Sequence, residues 1–376
     1  MAKILVAFGT RPEAIKMAPI VLALRKQERL ETMVCVTGQH RDMLDQVLRV
    51  FSIAPDIDLS IMRPDQTLVE ITTTILEKFS ATLKEIQPDR VLVQGDTTTS
   101  FACSLASFYA QTPIGHVEAG LRTGDLRAPW PEEYNRRGVD LVADLLWAPT
   151  QGAAEALLRE GSRREDILVT GNTVVDALQI VVSTIEHDST LRAKLGEELP
   201  AIDPTKKVIL VTSHRRESLE SGLSNICHAL NTLASRSDVE LIWPVHPNPR
   251  VVEIVRREIR DAPNVHLINP PDYVAFVELM RRCYLIITDS GGVQEEAPGL
   301  SKPVLVTRHE TERPEAVVAG AAKLVGTDTA NIIQEAETLL DNAEAYHAMA
   351  TVRNPFGDGR AALRIVTSIL ERHRLI

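Results

Sequence analysis

The sequence predicts an α/β protein built as two doubly wound, parallel-sheet domains facing a cleft. Three observations carry this. Short runs that are apolar on both faces alternate with longer segments of helical period, as expected where helices cover both sides of a parallel sheet. The alternation runs through the chain twice, with a break near residues 170–205. The length, 376 residues, suits two domains at roughly 100–200 residues each.

The first series of strands is expected at residues 3–8, 32–37, 90–94, 113–117, 145–148 and 167–170. The second is expected at 207–212, 240–244, 265–268, 285–288, 303–306 and 323–325. Helical period marks 12–29 and 66–86 in the first half, and 219–235 and 249–260 in the second. The first helix carries a start signal, because Thr10 and Glu13 fit a capping box and Pro12 fits the first turn. Asp56-Ile57-Asp58 reads as a surface loop. Residues 177–199 read as a polar helix, and Pro200 and Pro204 bracket a linker before the strand at 207. The domains are therefore expected at 1–175 and 176–357. A last helix, 360–375, follows the turn-rich Asn354-Pro355-Phe356-Gly357-Asp358-Gly359.

Composition narrows the function classes. At 44% hydrophobic and 24% charged residues, the chain is neither disordered nor collagen-like nor a disulfide-stapled miniprotein. A net charge of −10 argues against a nucleic-acid binder, which presents a basic face. Any anionic ligand must then be met by locally gathered Arg, Lys and helix N-termini. Cys35, Cys103, Cys227 and Cys283 lie far apart, without zinc spacing, and read as reduced thiols in packed elements. The N-terminal apolar run is too short for a signal peptide, and no stretch approaches the ~18–20 apolar residues of a membrane helix. The chain reads as soluble and cytoplasmic. It has no GxGxxG, no GxxxxGK[ST] and no HExxH, so a nicotinamide, Walker-type or zinc site has no support.

Ligands in open α/β sheets sit beyond the carboxyl ends of the strands. After the first strand, Arg11 and Lys16 fall near a helix N-terminus, where an anion clamp and solvated cations are both open readings. After the strand at 90–94, Asp96 reads first as an N-cap. The strand at 113–117 runs straight into Glu118, and a carboxylate there needs a partner or a task. In Trp130-Pro131-Glu132-Glu133-Tyr134-Asn135-Arg136-Arg137, helical spacing pairs Glu132 with Arg136 and Glu133 with Arg137. Spacing alone does not say which of these two pairs faces the strand ends; a lone Glu/Arg pair reads as a surface salt bridge, but a third carboxylate beside Asp96 and Glu118 strengthens the case for a proton-transfer site. In the second half, Ser213-His214-Arg215-Arg216 brings a histidine and two arginines to a strand end, suited to a diphosphate or to protonating a leaving oxygen. Ser290-Gly291-Gly292 joins a strand to a helix, with glycines that let main-chain N–H groups approach a phosphate. Glu296, further along, suits a ribose diol. Arg308 and Arg313 add positive charge near the next strand end.

The motifs FGTRPEAIKMAP, TGQHRDMLDQV, GDTTT, GHVEAGLRTGD, WPEEYNRR, TGNTVVDAL, SHRRES, PVHPNP, TDSGGVQEEAP, KPVLV and TERPEAV follow one another over essentially the whole chain. Together they resemble the bacterial non-hydrolysing UDP-N-acetylglucosamine 2-epimerases. The resemblance implies the two Rossmann-like domains of the glycosyltransferase type B (GT-B) fold, with the terminal segment 358–376 packing back on the first domain, and a cytoplasmic homodimer. It implies interconversion of UDP-N-acetylglucosamine and UDP-N-acetylmannosamine, by elimination of UDP to 2-acetamidoglucal and re-addition, with no cofactor and no metal. Carried over onto this sequence, it makes Asp96, Glu118 and Glu132 the catalytic carboxylates, with Arg136 beside them and His214 at the diphosphate. Arg11, Lys16, Ser290, Gly291, Gly292, Glu296 and Arg313 become nucleotide-sugar contacts, and Phe276 a neighbour of uracil. Pro271 stands where some relatives have Gln, which leaves only a main-chain carbonyl for uracil at that position. Gln39, Gln46 and His246 become candidates for an allosteric second UDP-N-acetylglucosamine. The alternative reading is a GT-B glycosyltransferase with a UDP-sugar donor, which shares the fold and the Ser-Gly-Gly turn. UDP-N-acetylglucosamine and UDP are the expected partners, and neither nucleic acid nor membrane is.

Overall fold

The computed structural model describes residues 1–38, 41–63, 65–213 and 222–376, with the side chains of 41–43 outside that description. In chain order the first elements are β1 (Ala2–Phe8), α1 (Arg11–Leu24), β2 (Leu30–Val36), α2 (Arg41–Val50), β3 (Ile57–Asp58), α3 (Leu68–Ile86) and β4 (Arg90–Gln94). There follow α4 (Thr98–Tyr109), β5 (Ile114–Val117), α5 (Glu132–Val142), β6 (Leu145–Ala148), α6 (Gln151–Arg159) and β7 (Ile167–Val169). Next come α7 (Thr173–His187), α8 (Ser189–Glu198), β8 (Lys207–Thr212), α9 (Gly222–Ala234), β9 (Val239–Pro244), α10 (Pro249–Glu258), β10 (Val265–Ile268) and α11 (Tyr273–Arg282). The chain ends with β11 (Leu285–Thr288), α12 (Gly291–Glu296), β12 (Val304–Val306), α13 (Pro314–Val318), β13 (Ala322–Leu324), α14 (Thr329–Asp341), α15 (Ala343–Ala350) and α16 (Ala361–Arg372).

Two parallel sheets result, ordered β3-β2-β1-β4-β5-β6-β7 and β10-β9-β8-β11-β12-β13. The order reverses between β1 and β4 in the first sheet and between β8 and β11 in the second, the switch points where open α/β sheets bind ligands. The chain divides into two compact units, Met1–Ala177 with Phe356–Ile376, and Leu178–Pro355.

The central strands are buried throughout, as their doubly apolar sequences require. α3 shows how a helix joins such a core: Thr67 and Glu70 form a capping box, and Ile71, Ile75, Phe79 and Leu83 bury one face at i,i+4 spacing. Each such aliphatic or aromatic side chain contributes ~1.5–3 kcal/mol by leaving water. In the second unit, Trp243, Leu230, Ile287 and Leu305 belong to one cluster beneath α9, α10 and α14. All four cysteines are free and buried, and burial pushes the thiols of Cys35, Cys227 and Cys283 up to about 12, so they are unreactive packing residues.

Two expectations are corrected. Ile57–Asp58 is not loop but the edge strand β3, paired with Cys35 and Val36; two residues are too few to display a period. Residues 177–199 are not one helix, because Asp188 ends α7 and caps α8, accepting from the N–H groups of Thr190 at 2.9 Å and Leu191 at 3.0 Å. Within the first unit, α16 packs on α1. Its N-terminus is capped by Asp176, which accepts from Ala361 N at 3.2 Å and Ala362 N at 2.9 Å, and Ser368 accepts from the buried Trp147 indole at 2.8 Å. Among the described residues, no helix is long and apolar enough to cross a membrane.

Candidate functional site

In the first unit the β1–α1 and β4–α4 turns flank the switch point. The predicted capping box forms: Glu13 is fully buried and its carboxylate accepts from Gly9 N at 3.1 Å, Thr10 N at 2.8 Å and the Thr97 hydroxyl at 2.7 Å. Burial outweighs these bonds and raises its pKa. Gly9 is required by close approach, since a Cβ there would lie 2.0 Å from Thr37 Oγ1. Arg11 begins α1, half-buried, without an ion pair or side-chain hydrogen bond among the described residues. Lys16 is not a solvated cation: its ammonium meets the Glu118 carboxylate. Glu118 also accepts from Gln94 Nε2 at 3.1 Å and Asn172 Nδ2 at 3.2 Å. Its backbone is left-handed, φ +68°, a conformation that costs a non-glycine residue on the order of 1–3 kcal/mol and turns the side chain out of the strand's alternation.

Asp96 is not the N-cap of α4. Thr97 takes that role, its hydroxyl accepting from Ser100 N at 3.1 Å. The Asp96 carboxylate is instead gripped by the Arg136 guanidinium, and its carbonyl accepts from Asn135 Nδ2 at 2.9 Å. The pairing expected between Glu132 and Arg136 is therefore absent. Arg136 reaches back to the β4–α4 turn, and its nearer partner on its own helix is the fully buried Glu133, 3.5 Å away. Glu133 also holds Arg137 at 3.1 Å, as spacing implied. Glu132 is half-buried at the start of α5, with no ion pair or side-chain hydrogen bond among the described residues.

Two buried groups behind this face were not picked out from the sequence. His116, in the middle of β5, places Nδ1 2.6 Å from Asp140 Oδ1 and Nε2 2.8 Å from the Gly95 carbonyl. Asp140, on α5, also meets Arg122 at 2.8 Å and Gly120 N at 3.2 Å. Burial alone would push the Asp140 carboxyl up; His116 and Arg122 beside it outweigh this and hold it below the usual range. The available signal was a polar residue inside the otherwise apolar Ile114-Gly115-His116-Val117.

In the second unit the corresponding turns follow β8 and β11. Ser213 donates to the fully buried Asp289 at 3.0 Å. Ser290 precedes α12, and a Cβ on Gly291 would meet nothing within 4 Å, while one on Gly292 would come no nearer than 3.9 Å to Glu296 and Ser290. Neither glycine has a positive φ, so packing does not demand glycine there, and the open face of the turn is what lacks a side chain. Glu296 accepts from the Tyr273 hydroxyl at 2.8 Å. Tyr273 begins α11, and Phe276 lies half-buried one turn further on. Arg313 is engaged by the buried Glu295, and Thr311 donates to Gln294 Oε1 at 2.7 Å, tying this loop to α12. Arg308 lies 3.6 Å from Glu312. Pro271 immediately precedes Asp272, the N-cap of α11.

His214 and Gln39 fall outside the described residues. Gln46 is exposed on α2 in the first unit. His246 is exposed after β9 in the second, its Nδ1 accepting from Asn248 N at 3.2 Å.

A sequence profile of the family described as UDP-N-acetylglucosamine 2-epimerase matches residues 22–370. The UDP-N-acetylglucosamine 2-epimerase of Escherichia coli K12 is 54% identical over 368 residues, covering 98% of each chain. Among solved structures, the UDP-GlcNAc 2-epimerase of Neisseria meningitidis bound to UDP-GlcNAc superposes with a TM-score of 0.92 at 47% identity, covering 98% of this chain and 100% of that one. The Methanocaldococcus jannaschii UDP-GlcNAc 2-epimerase in complex with UDP-GlcNAc and UDP does so at 0.82 and 33% identity, covering 98% and 99%. The α/β class with two Rossmann-like sheets, expected as GT-B, is the class of these structures.

Proposed function

The chain belongs to the UDP-N-acetylglucosamine 2-epimerase family, and on that premise we propose that it interconverts UDP-N-acetylglucosamine and UDP-N-acetylmannosamine by eliminating and re-adding UDP. The C2 proton of the sugar is not acidic, because no carbonyl is attached to C2. As the C1–O bond breaks, the ring gains oxocarbenium character and a carboxylate can take that proton. The C2–H electron pair becomes the C1–C2 double bond of 2-acetamidoglucal, and the C1–O pair leaves with UDP. Return of UDP to C1, with a proton delivered to the other face of C2, gives the epimer.

In this reading Asp96, Glu118 and Glu132 take and return the C2 proton, a task worth ~10²–10⁴ in rate. Arg136 orients Asp96 and Lys16 orients Glu118. Arg11, His214, Arg313 and the main-chain N–H groups of Ser290, Gly291 and Gly292 meet the diphosphate as its charge develops. Glu296 takes the ribose and Phe276 the uracil. The observation that carries the reading is the pair of carboxylates that follow the neighbouring strands β4 and β5, Asp96 and Glu118, each fixed by its own cation. The test is incubation with UDP-N-acetylglucosamine alone in D₂O, followed by proton NMR. Deuterium at C2 and growth of the mannosamine signal are expected without any acceptor; a sugar that keeps its C2 proton overturns the proposal.

The same reading takes the protein as a homodimer. In support, Phe108 and Tyr109 at the end of α4 and Leu141 at the end of α5 are exposed apolar side chains on adjacent helices. It also takes Gln39, Gln46 and His246 as contacts for a second UDP-N-acetylglucosamine, for which sigmoidal kinetics from the mannosamine side are the expected sign.

A further inference from the structure

We propose that His116, braced by Asp140, is a positioning residue that sets Asp96 and Glu118 in register for proton transfer; this rests on the reading of those two carboxylates given above. His116 is wholly buried, and its ring nitrogens face Asp140 Oδ1 at 2.6 Å and the Gly95 carbonyl at 2.8 Å. The Gly95 carbonyl can only accept, so Nε2 donates to it.

The two ends of this chain of bonds land on the two carboxylate-bearing turns. The Gly95 carbonyl belongs to the peptide that joins Gly95 to Asp96, so the bond from Nε2 fixes the plane from which Asp96 departs. That plane needs fixing, because Gly95 has φ +67° and no side chain to restrain it. The Ser100 hydroxyl, at 3.3 Å, is a longer second donor to the same oxygen. At the other end, Asp140 Oδ2 accepts from Gly120 N at 3.2 Å, two residues beyond Glu118, and from Arg122 at 2.8 Å. Glu118 holds its left-handed backbone between β5 and that anchored glycine. One imidazole thus couples the β4–α4 turn to the β5–α5 connection. Neither His116 nor Asp140 touches the reacting sugar; they act through the turns they hold. Misplacing a reacting group by about 1 Å can cost ~10²-fold.

The experiment compares His116→Asn with His116→Gln in the full-length protein. An asparagine amide sits where Nδ1 sits and serves Asp140 but not Gly95; a glutamine amide reaches the Nε2 position and serves Gly95. Asparagine is expected to lower kcat by ~10–100-fold while KM for UDP-N-acetylglucosamine stays within ~3-fold, and glutamine is expected to restore much of the loss. Parent-like kcat in His116→Asn, equal impairment of the two variants, or a KM that rises as kcat falls each overturns the proposal. Should the asparagine variant not fold, Asp140→Asn carries the test: lowered kcat at unchanged KM supports it, and parent-like kcat overturns it. Deuterium uptake at C2 by the parent is measured alongside. Its absence is a failure of the epimerase reading, whereas parent uptake with unimpaired variants is a failure of this one.

Discussion

Glu13 allows charge and shape to be separated at one buried position that links the turn bearing Arg11 to the turn bearing Asp96. One carboxylate oxygen accepts from Gly9 N at 3.1 Å and Thr10 N at 2.8 Å; the other accepts from the Thr97 hydroxyl at 2.7 Å. Glu13→Ala orphans two buried main-chain N–H groups, one of them the capping-box donor Thr10 N, at ~1–3 kcal/mol each, so a loss of about 2–6 kcal/mol is expected. Glu13→Gln keeps an oxygen for the two N–H groups. Its amide can donate to Thr97 Oγ1, which already accepts from Ser100 N at 3.1 Å, so a loss under ~1 kcal/mol is expected at pH 7. The pH dependence has a definite sign. Burial, opposed by these hydrogen bonds, raises the Glu13 pKa above its ordinary 4.5. The folded state therefore holds the proton more tightly than the unfolded chain. The stabilisation this gives is fully present below the unfolded pKa and is lost as pH rises through the folded one. Glutamine has no such proton, so the Gln variant should gain on the parent as pH rises from the ordinary 4.5 through the raised folded-state pKa. Urea unfolding of parent, Ala and Gln proteins at several pH values, followed by circular dichroism, measures this. A Gln variant as unstable as the Ala variant, or a parent-to-Gln gap that does not move with pH, refutes the argument.

Glu118→Gln and Asp96→Asn are expected to lower turnover by ~10²–10⁴ while UDP affinity, read by calorimetry, changes less than ~3-fold; unchanged turnover removes that residue from proton transfer. Gly291→Ala enters open space at the start of α12 and should leave stability equal or higher by ~0.5–1 kcal/mol, yet weaken UDP binding at least ~10-fold. Undiminished binding would show that no phosphate approaches that turn. Tyr109→Glu with Leu141→Glu, at side chains 73% and 85% exposed, should convert a dimer to a monomer by light scattering, and a parent already monomeric sinks the assembly.

The central strands of both sheets were legible because burial on both faces leaves an unbroken apolar run, whereas the two-residue edge strand β3 was not; helix starts were legible where a cap is local, as at Thr10 and Glu13. What failed was whatever depends on partners far away in sequence. Arg136 has a glutamate four residues before it, yet its carboxylate lies 40 residues away at Asp96. Asp96 suits an N-cap, but Thr97 sits one position nearer the helix and takes the bond. Glu118 was conspicuous as a carboxylate ending a strand, whereas its positive φ and its convergence with Lys16, Gln94 and Asn172 are tertiary facts. His116 was passed over because a single polar residue in a strand carries no period.

The return of α16 to the first unit makes the second unit, in topological terms, an insertion. The chain leaves the first unit after Ala177 and re-enters it at Phe356. The exit and the re-entry run side by side, with Asn172 N donating to the Phe356 carbonyl at 2.6 Å. Excising Leu178–Pro355 and bridging the gap with a few glycines would therefore need no rerouting. The first unit, carrying Asp96, Glu118 and Glu132 on one continuous polypeptide, is a natural candidate for expression as a free-standing miniature.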